Sequence, residues 1–180
     1  MGKVTPHPTH PTIARGPQLR PPERLTTRHD LSDFDCGKPD LNDWLTRQAR
    51  RADGRSARTY VVAVDLHVVG YYCLAAGAVT RGELPSARLR RNLPDQVPVI
   101  VLGRLAIDLK FSSRGLGKGL LKDALLRSLN VSETVGARAV LVHAIDDRAC
   151  GFYRKFGFLP FPTNPLTLVL PLETVKEALA

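Results

Sequence analysis

Two short stretches of the chain carry residue types that could do chemistry. The first is Ser113-Arg114-Gly115-Leu116-Gly117-Lys118-Gly119. Three alternating glycines leave backbone amides without neighbouring Cβ atoms. Behind them Leu116, Leu120, Leu121, Ala124, Leu125 and Leu129 recur at helical spacing. A helix that starts on such a turn presents unpaired N–H groups and the positive end of its dipole, a place for a phosphate. Taken alone, the turn serves equally well as a strand-to-helix connection without a ligand. It lacks GxxxxGK[ST], and its strict alternation does not match GxGxxG. The second stretch is Phe152-Tyr153-Arg154-Lys155-Phe156-Gly157-Phe158. Phe152 and Phe156, four apart, can share the buried face of a helix, and Tyr153 lies about 100° from Phe152, free to face a site. A phenol of ordinary pKa, about 10, is protonated at neutral pH and can give its proton to a leaving group. The other reading is a core tyrosine with a bonded hydroxyl.

The elements that would position these residues are legible in the apolar pattern. Val99 to Ile107 is too apolar for a half-exposed strand and predicts one inside a sheet. Tyr60 to Val64 and Val68 to Leu74 predict a hairpin around Asp65-Leu66-His67, extended by Ala75 to Val79. Ala139 to Ala144 and Leu166 to Leu170 predict two more strands, and Glu23 to Leu31 a first extended segment. His143, alone at a strand end, reads first as a satisfied core residue, and otherwise as a substrate contact or base. Asp40 reads as the N-cap of a helix with Leu41, Trp44 and Leu45 on one face, with Trp44 in the core. Asp146-Asp147 caps the helix of Tyr153, which ends at Gly157. A short helix is expected around Ser86 to Asn92, and another from Glu173 to Leu179. The order β, α, β, β, crossover, β, glycine turn, α, β, α, β predicts an α/β domain with helices on both faces of a mixed sheet.

The chain has 180 residues, enough for one domain with a sizeable core, read here as residues 23–180. Residues 1–22 hold Pro6, Pro8, Pro11, Pro17, Pro21 and Pro22 and read as a flexible leader outside the core, with His7 and His10 solvated. No apolar run is long enough to span a bilayer, and the N-terminus lacks a secretory core. Cys36, Cys73 and Cys150 are scattered without CxxC spacing, which argues against a disulfide framework or a zinc site and for a reducing cytoplasm. The net charge of +9 favours a polyanionic partner, nucleic acid first. Residues 81–127 hold ten Lys or Arg against four acids. Arg47, Arg50, Arg51, Arg55 and Arg58 fall within twelve residues with one acid, and Arg88, Arg90 and Arg91 follow in the crossover. The planar arginine fork suits phosphate. A solvated basic face is the competing reading.

Arg114, Gly117 and Gly119 form R-x-x-G-x-G after a buried strand, and with Phe152-Tyr153 and Gly157-Phe158 the chain resembles the GNAT superfamily of acetyl-CoA-dependent N-acetyltransferases. The resemblance implies a mixed, mostly antiparallel sheet splayed between two central parallel strands. It implies that Arg114, Gly115, Leu116, Gly117, Lys118, Gly119 and Leu120 hold the coenzyme pyrophosphate through their amides. The edge of Leu105, Ala106 and Ile107 would pair with pantetheine, Tyr153 would protonate the leaving thiolate, and no metal is required. Phe34-Asp35-Cys36-Gly37 with Leu41 to Leu45, Ala57 to Val61, and Leu102 to Ala106 looks like the GNAT toxins of type II toxin–antitoxin pairs, from about Leu25 to Leu172. Those toxins acetylate the α-amino group of aminoacyl-tRNA, and their partners are ribbon-helix-helix antitoxins that also bind operator DNA. By this resemblance the protein is a homodimer, and the eight arginines above are its RNA contacts. The leader is the departure from the family pattern: an arm for a partner or RNA, or a misplaced start.

The reaction so implied is attack of a neutral amine on the acetyl thioester, and no Glu is an obvious base. An α-amino group esterified to RNA is less basic than a lysine, so it can be neutral without a strong base. A covalent route through Cys150 has nothing to mark the thiol as activated. Two other readings stand beside this one: the same fold acting on a small amine or protein N-terminus, and a basic nucleic-acid-binding module whose coenzyme site has decayed.

Overall fold

The apolar runs in the middle of the chain pair with each other, as their β-branched and aromatic content demands. In the computed structural model, which describes residues 18–179, β2 (Arg58–Val64), β3 (His67–Thr80) and β4 (Gln96–Ile107) form an antiparallel meander. β4 then pairs in parallel with β5 (Ala139–His143), and β7 (Thr167–Pro171) adds to β5 in antiparallel fashion. Two-residue strands finish the edges, β1 (Glu23–Arg24) beside β2 and β6 (Leu159–Pro160) beside β7. The expected first strand is thus much shorter than Glu23 to Leu31. Beyond it His29 is buried, with its ring nitrogens 3.0 Å from Glu23 and 3.0 Å from the Thr26 amide nitrogen, which holds a compact turn instead. Of the expected leader, residues 1–17 lie outside the described residues. Residues 18–22 run along β2, where Leu19 bridges Val64 and the Arg20 amide donates to the Ala63 carbonyl at 3.1 Å.

β4 and β5 pair only from Val99 to Leu102. The cause lies on the other side of β4. Cys73 pairs with Arg104 and Leu74 with Leu102, so Gly103 is an extra residue in β4, a bulge that bends the strand. A Cβ at Gly103 would sit 3.1 Å from Cys73 Sγ, tighter than packing readily allows. Past the bulge β4 stays on β3 as far as Ile107, and its other edge faces no strand.

One sheet face, with Val62, Tyr72, Leu102 and Val140, is covered by α4 (Leu116–Val135) and α6 (Leu172–Leu179); Cys150 and Tyr153 of α5 (Asp147–Arg154) join the same cluster. The opposite face carries two clusters. Val61, Val68, Tyr71 and Ala106 pack on Trp44, Leu45 and Ala49. Those three belong to a composite helix: α1 (Pro39–Asp43), a π-helical turn (Trp44–Gln48) and α2 (Ala49–Ala52). Its N-cap is Lys38, not Asp40. Pro39 takes the first helical position, where its fixed φ fits and no N–H is missed, and that moves Asp40 into the first turn. The second cluster sets Val79, Val97, Val99 and Leu141 under Leu84, Leu89 and Leu93 of the crossover. Its short helix α3 (Ala87–Arg90) is capped by Ser86, which accepts from the Leu89 amide.

α4 is fixed to the sheet by a polar cluster as well as by its leucines. The buried Tyr72 hydroxyl donates to Asp123, and Arg127 donates to the same carboxylate at 2.8 Å. The Arg127 guanidinium lies 4.2 Å from the Tyr60 ring centre, Tyr60 stacks on Tyr72, and Arg127 also donates to the Pro22 carbonyl at 3.1 Å. Burial, followed by the bond to Asp123, raises the Tyr72 pKa far above that of an ordinary phenol, so it remains a donor. Tyr72→Phe leaves a half-buried carboxylate with one donor fewer. Urea unfolding should show a loss of about 1–2 kcal/mol, the cost of a charge-assisted hydrogen bond; no loss would show that Arg127 alone holds Asp123.

Candidate active site

The parting of β4 from β5 opens a cavity of about 450 Å³. Leu105, Ala106 and Ile107 of β4 and Phe152 and Tyr153 of α5 line it. Gly115, Leu116 and Gly117 of the α4 start and Cys36, Lys38 and Leu41 also line it. These residues come from both sides of the sheet: Leu116 and Tyr153 belong to the cluster under α4, Leu41 and Ala106 to the cluster under the composite helix. Residues from both sheet faces thus line this passage.

Gly115 is the N-cap of α4 at φ 77°, and Ser113 shares the left-handed region at φ 63°. Glycine is needed at the cap for that reason. It brings no capping side chain, and the first turn of a 20-residue helix holds no acid. The first amide bonded back within the helix is that of Gly119, to the Gly115 carbonyl at 3.1 Å, so the amides before it point outward unpaired. Gly117 and Gly119 are not demanded by the fold. A Cβ at Gly117 would make an ordinary 3.8 Å contact with Phe152, and one at Gly119 would meet nothing within 4 Å. That is the arrangement an anion needs to lie against the helix start.

The sequence-derived cofactor residues divide accordingly. Leu105, Ala106, Ile107, Gly115, Leu116 and Gly117 line the passage. Lys118 faces a separate groove toward α6, and Gly119 a separate hollow toward residues 19–22. The Leu120 side chain is in the core, and the Arg114 guanidinium lies 5.0 Å from the Phe111 ring centre.

Tyr153 is 7% exposed, whereas Phe152 and Phe156 are only half-buried, the reverse of the burial expected from their spacing. The two phenylalanines pack edge-on at 5.1 Å, and Tyr153 packs on Phe158 beneath them while still reaching the passage. Burial raises its pKa well above the phenol range. Tyr71 and Tyr72 donate to the Leu41 carbonyl and to Asp123; among the described residues the Tyr153 hydroxyl has no such acceptor. The helix that carries it is capped as expected, with Asp146 accepting from the Ala149 amide at 2.8 Å.

Asp146 is the one carboxylate on the wall of the passage. The Ala149 amide and the Lys38 ammonium, 3.0 Å away, hold its pKa below the usual carboxylate value, so it is a poor base. Cys36 is a thiol, its pKa raised by burial. Cys150 points at the Pro165 carbonyl, 3.4 Å away, and not into the passage. His143 is exposed rather than in the core; its Nδ1 lies 3.0 Å from Thr167 Oγ1. Cys36, Lys38, Asp146 and Arg148 escaped the sequence reading as wall residues. Lys38 and Asp146 meet across 108 residues of chain, and no local spacing signals that. Among the described residues no group of His, Cys, Asp and Glu could hold a metal.

The arginines are not one uniform patch. Arg50 donates to the His29 carbonyl at 2.6 Å, Arg58 pairs with Asp53 at 3.4 Å, and Arg90 donates to the Leu84 carbonyl at 3.2 Å. Arg47 makes a long, exposed contact with Asp43 at 3.8 Å. Arg47 lies in the π-helical turn and Arg50 in α2. Arg51, Arg55, Arg88 and Arg91 are exposed. Both groups belong to segments covering the sheet face opposite α4.

Residues 24–158 match the acetyltransferase (GNAT) family. The chain is 43% identical over 157 residues to a tRNA-acetylating toxin of Mycobacterium tuberculosis (strain ATCC 25618 / H37Rv), covering 86% of this chain and 93% of that one. Its fold superposes on AtaT complexed with acetyl-methionyl-tRNAfMet with a TM-score of 0.83, at 30% identity, over 91% of this chain and all of the other. A tyrosine-to-phenylalanine mutant of the AtaT toxin, bound to the C-terminus of the antitoxin AtaR and acetyl-CoA, gives a TM-score of 0.75 at 29% identity over 89% and 97% of the two chains. With a parted parallel pair, a glycine-lined helix start and the family match over most of its length, the chain belongs to the GNAT family and is an acetyl-CoA-dependent N-acetyltransferase.

Proposed function

We propose that the protein is the toxin of a type II toxin–antitoxin pair and transfers the acetyl group of acetyl-CoA to the α-amino group of aminoacyl-tRNA, which blocks translation. The observation that carries this reading is a passage lined by residues from both sheet faces. A coenzyme laid on the α4 start reaches it from one face, and an RNA on the arginine-bearing face reaches it from the other. The 43% identity to a tRNA-acetylating toxin supports the substrate class. The pantetheine arm would pair with the open edge of Leu105 to Ile107, and the pyrophosphate would lie on the amides that begin α4. The amine nitrogen attacks the thioester carbonyl, the C–S bond breaks, and the thiolate takes the Tyr153 proton. The amine releases its own proton to water, since Asp146 is occupied and the amine is already weakly basic. A small polycation as substrate fits less well, because the single carboxylate on the wall is bonded to Lys38.

The finer partners belong to the same reading. A ribbon-helix-helix antitoxin neutralises the toxin, the complex represses by binding operator DNA, and the toxin acts as a homodimer that joins two basic faces. Charged tRNA places its action in the cytoplasm, and no helix among the described residues is long and apolar enough to cross a membrane. The single catalytic domain takes in residues 18–22, which lie along β2 ahead of Glu23.

Four measurements test this. Labelled acetyl should pass from acetyl-CoA to charged tRNA and not to uncharged tRNA or free amino acids. Tyr153→Phe should lower kcat by about 10²- to 10⁴-fold, the usual worth of a general acid, with acetyl-CoA affinity within about twofold; full activity would remove Tyr153 from the chemistry. Because burial raises the Tyr153 pKa, the rate should climb with pH as the amine loses its proton and then stay level through the range where an ordinary phenol ionises, about pH 10. A fall there would assign the acid elsewhere. For RNA binding, Arg51→Ala and Arg55→Ala should each reduce the slope of log K against log salt by about one, whereas unchanged slopes would take the RNA off this segment.

A further inference from the structure

A second hollow, of about 290 Å³, lies against the first turn of α4 and is bounded by Leu19, Arg20, Pro22, Leu116 and Gly119. Leu116 lines both this hollow and the passage, so the two meet at the helix start. Gly117 faces the passage side, toward Phe152, and Gly119 the hollow, where a Cβ would meet nothing within 4 Å. A ligand that leaves the passage over Gly117 and continues past Gly119 enters this space. Its outer wall is fixed: Leu19 bridges Val64, the Arg20 amide donates to Ala63 at 3.1 Å, and the Pro22 carbonyl accepts from Arg127 at 3.1 Å. The Arg20 side chain is exposed there, and among the described residues it forms no ion pair.

Acetyl-CoA carries phosphate at two places, the pyrophosphate and the ribose 3′-phosphate. The amides that begin α4 suit the first. The second lies beyond it along the molecule, where a cation would make a charge-assisted contact. Lys118 and Lys122 lie along the groove toward α6, away from this hollow. We propose that the hollow between residues 19–22 and α4 receives the nucleotide end of acetyl-CoA, and that Arg20 binds its 3′-phosphate. The segment read as a leader outside the domain thereby closes the coenzyme site. The proposal rests on the chain being an acetyl-CoA enzyme.

Calorimetric titration of the full chain with CoA and with 3′-dephospho-CoA tests it. The parent should bind CoA about fivefold more tightly, the size of an exposed charge-assisted contact. Arg20→Gln should bind the two ligands equally, at the parent's affinity for dephospho-CoA, and Arg20→Lys should restore part of the difference. Arg28→Gln, a change of the same charge away from the hollow, should behave as the parent. A parent that does not distinguish the ligands, or an Arg20→Gln protein that still does, overturns the proposal. A parent that binds neither ligand overturns the acetyl-CoA reading of the passage itself.

Discussion

Everything at the site depends on one irregularity in pairing. β4 is held along its whole length by β3, but by β5 only as far as Leu102, because Gly103 adds a residue to β4 and turns it aside. Backbone groups in a sheet interior must be bonded, so an edge opened there is stable only where solvent or a ligand can supply partners. The same step places the start of α4 over the gap and lets α5 close the far side with Tyr153. Without the bulge, parallel pairing could continue toward Ile107, and the passage would be filled by sheet.

Within the passage, chemistry is set by which groups are already engaged. Tyr153 is buried, unbonded and held protonated, which suits a donor to a departing thiolate. Asp146, by contrast, caps α5 and binds Lys38, and both contacts stabilise its ionised form. A carboxylate with its lone pairs occupied has little drive to take a proton. Proton removal is thus left to the substrate and solvent, and this favours an amine that is neutral near physiological pH. An α-amino group on an ester is such an amine; a lysine side chain is not.

The fold was largely readable because its strands are long, apolar and bounded by turn residues, and because the helices of Leu116 and Tyr153 carry plain periodicity. What escaped was of two kinds. The first is long-range juxtaposition: Lys38 with Asp146, and residues 19–22 against α4, meet only through the sheet and leave no local pattern. The second is competition between neighbouring signals. Pro39 displaced Asp40 from the cap, since a proline can take the first helical position and an Asp one place later still meets the dipole. Spacing alone put Phe152 and Phe156 inward, but the gap in the sheet left them half-exposed on its rim and drew Tyr153 onto Phe158. The arginine cluster was legible as charge but not as function, because whether an arginine is free depends on acceptors such as the His29 carbonyl that composition does not reveal.

A protein of net charge +9 that handles two anions must keep them from competing for the same cations. The sheet does this by position. On the α4 face the anion site is made chiefly of backbone amides and a helix dipole, a short-range device that accepts a compact phosphate but offers no extended field. On the opposite face the charge is on long arginine side chains, several of them unengaged, spread along the composite helix and the crossover. Such an array attracts an extended polyanion at long range and weakens steeply with salt. In the proposed reaction, amides and arginines would sort the two ligands by size and charge density before either reaches the passage, and the parted strands would bring their reactive ends together there.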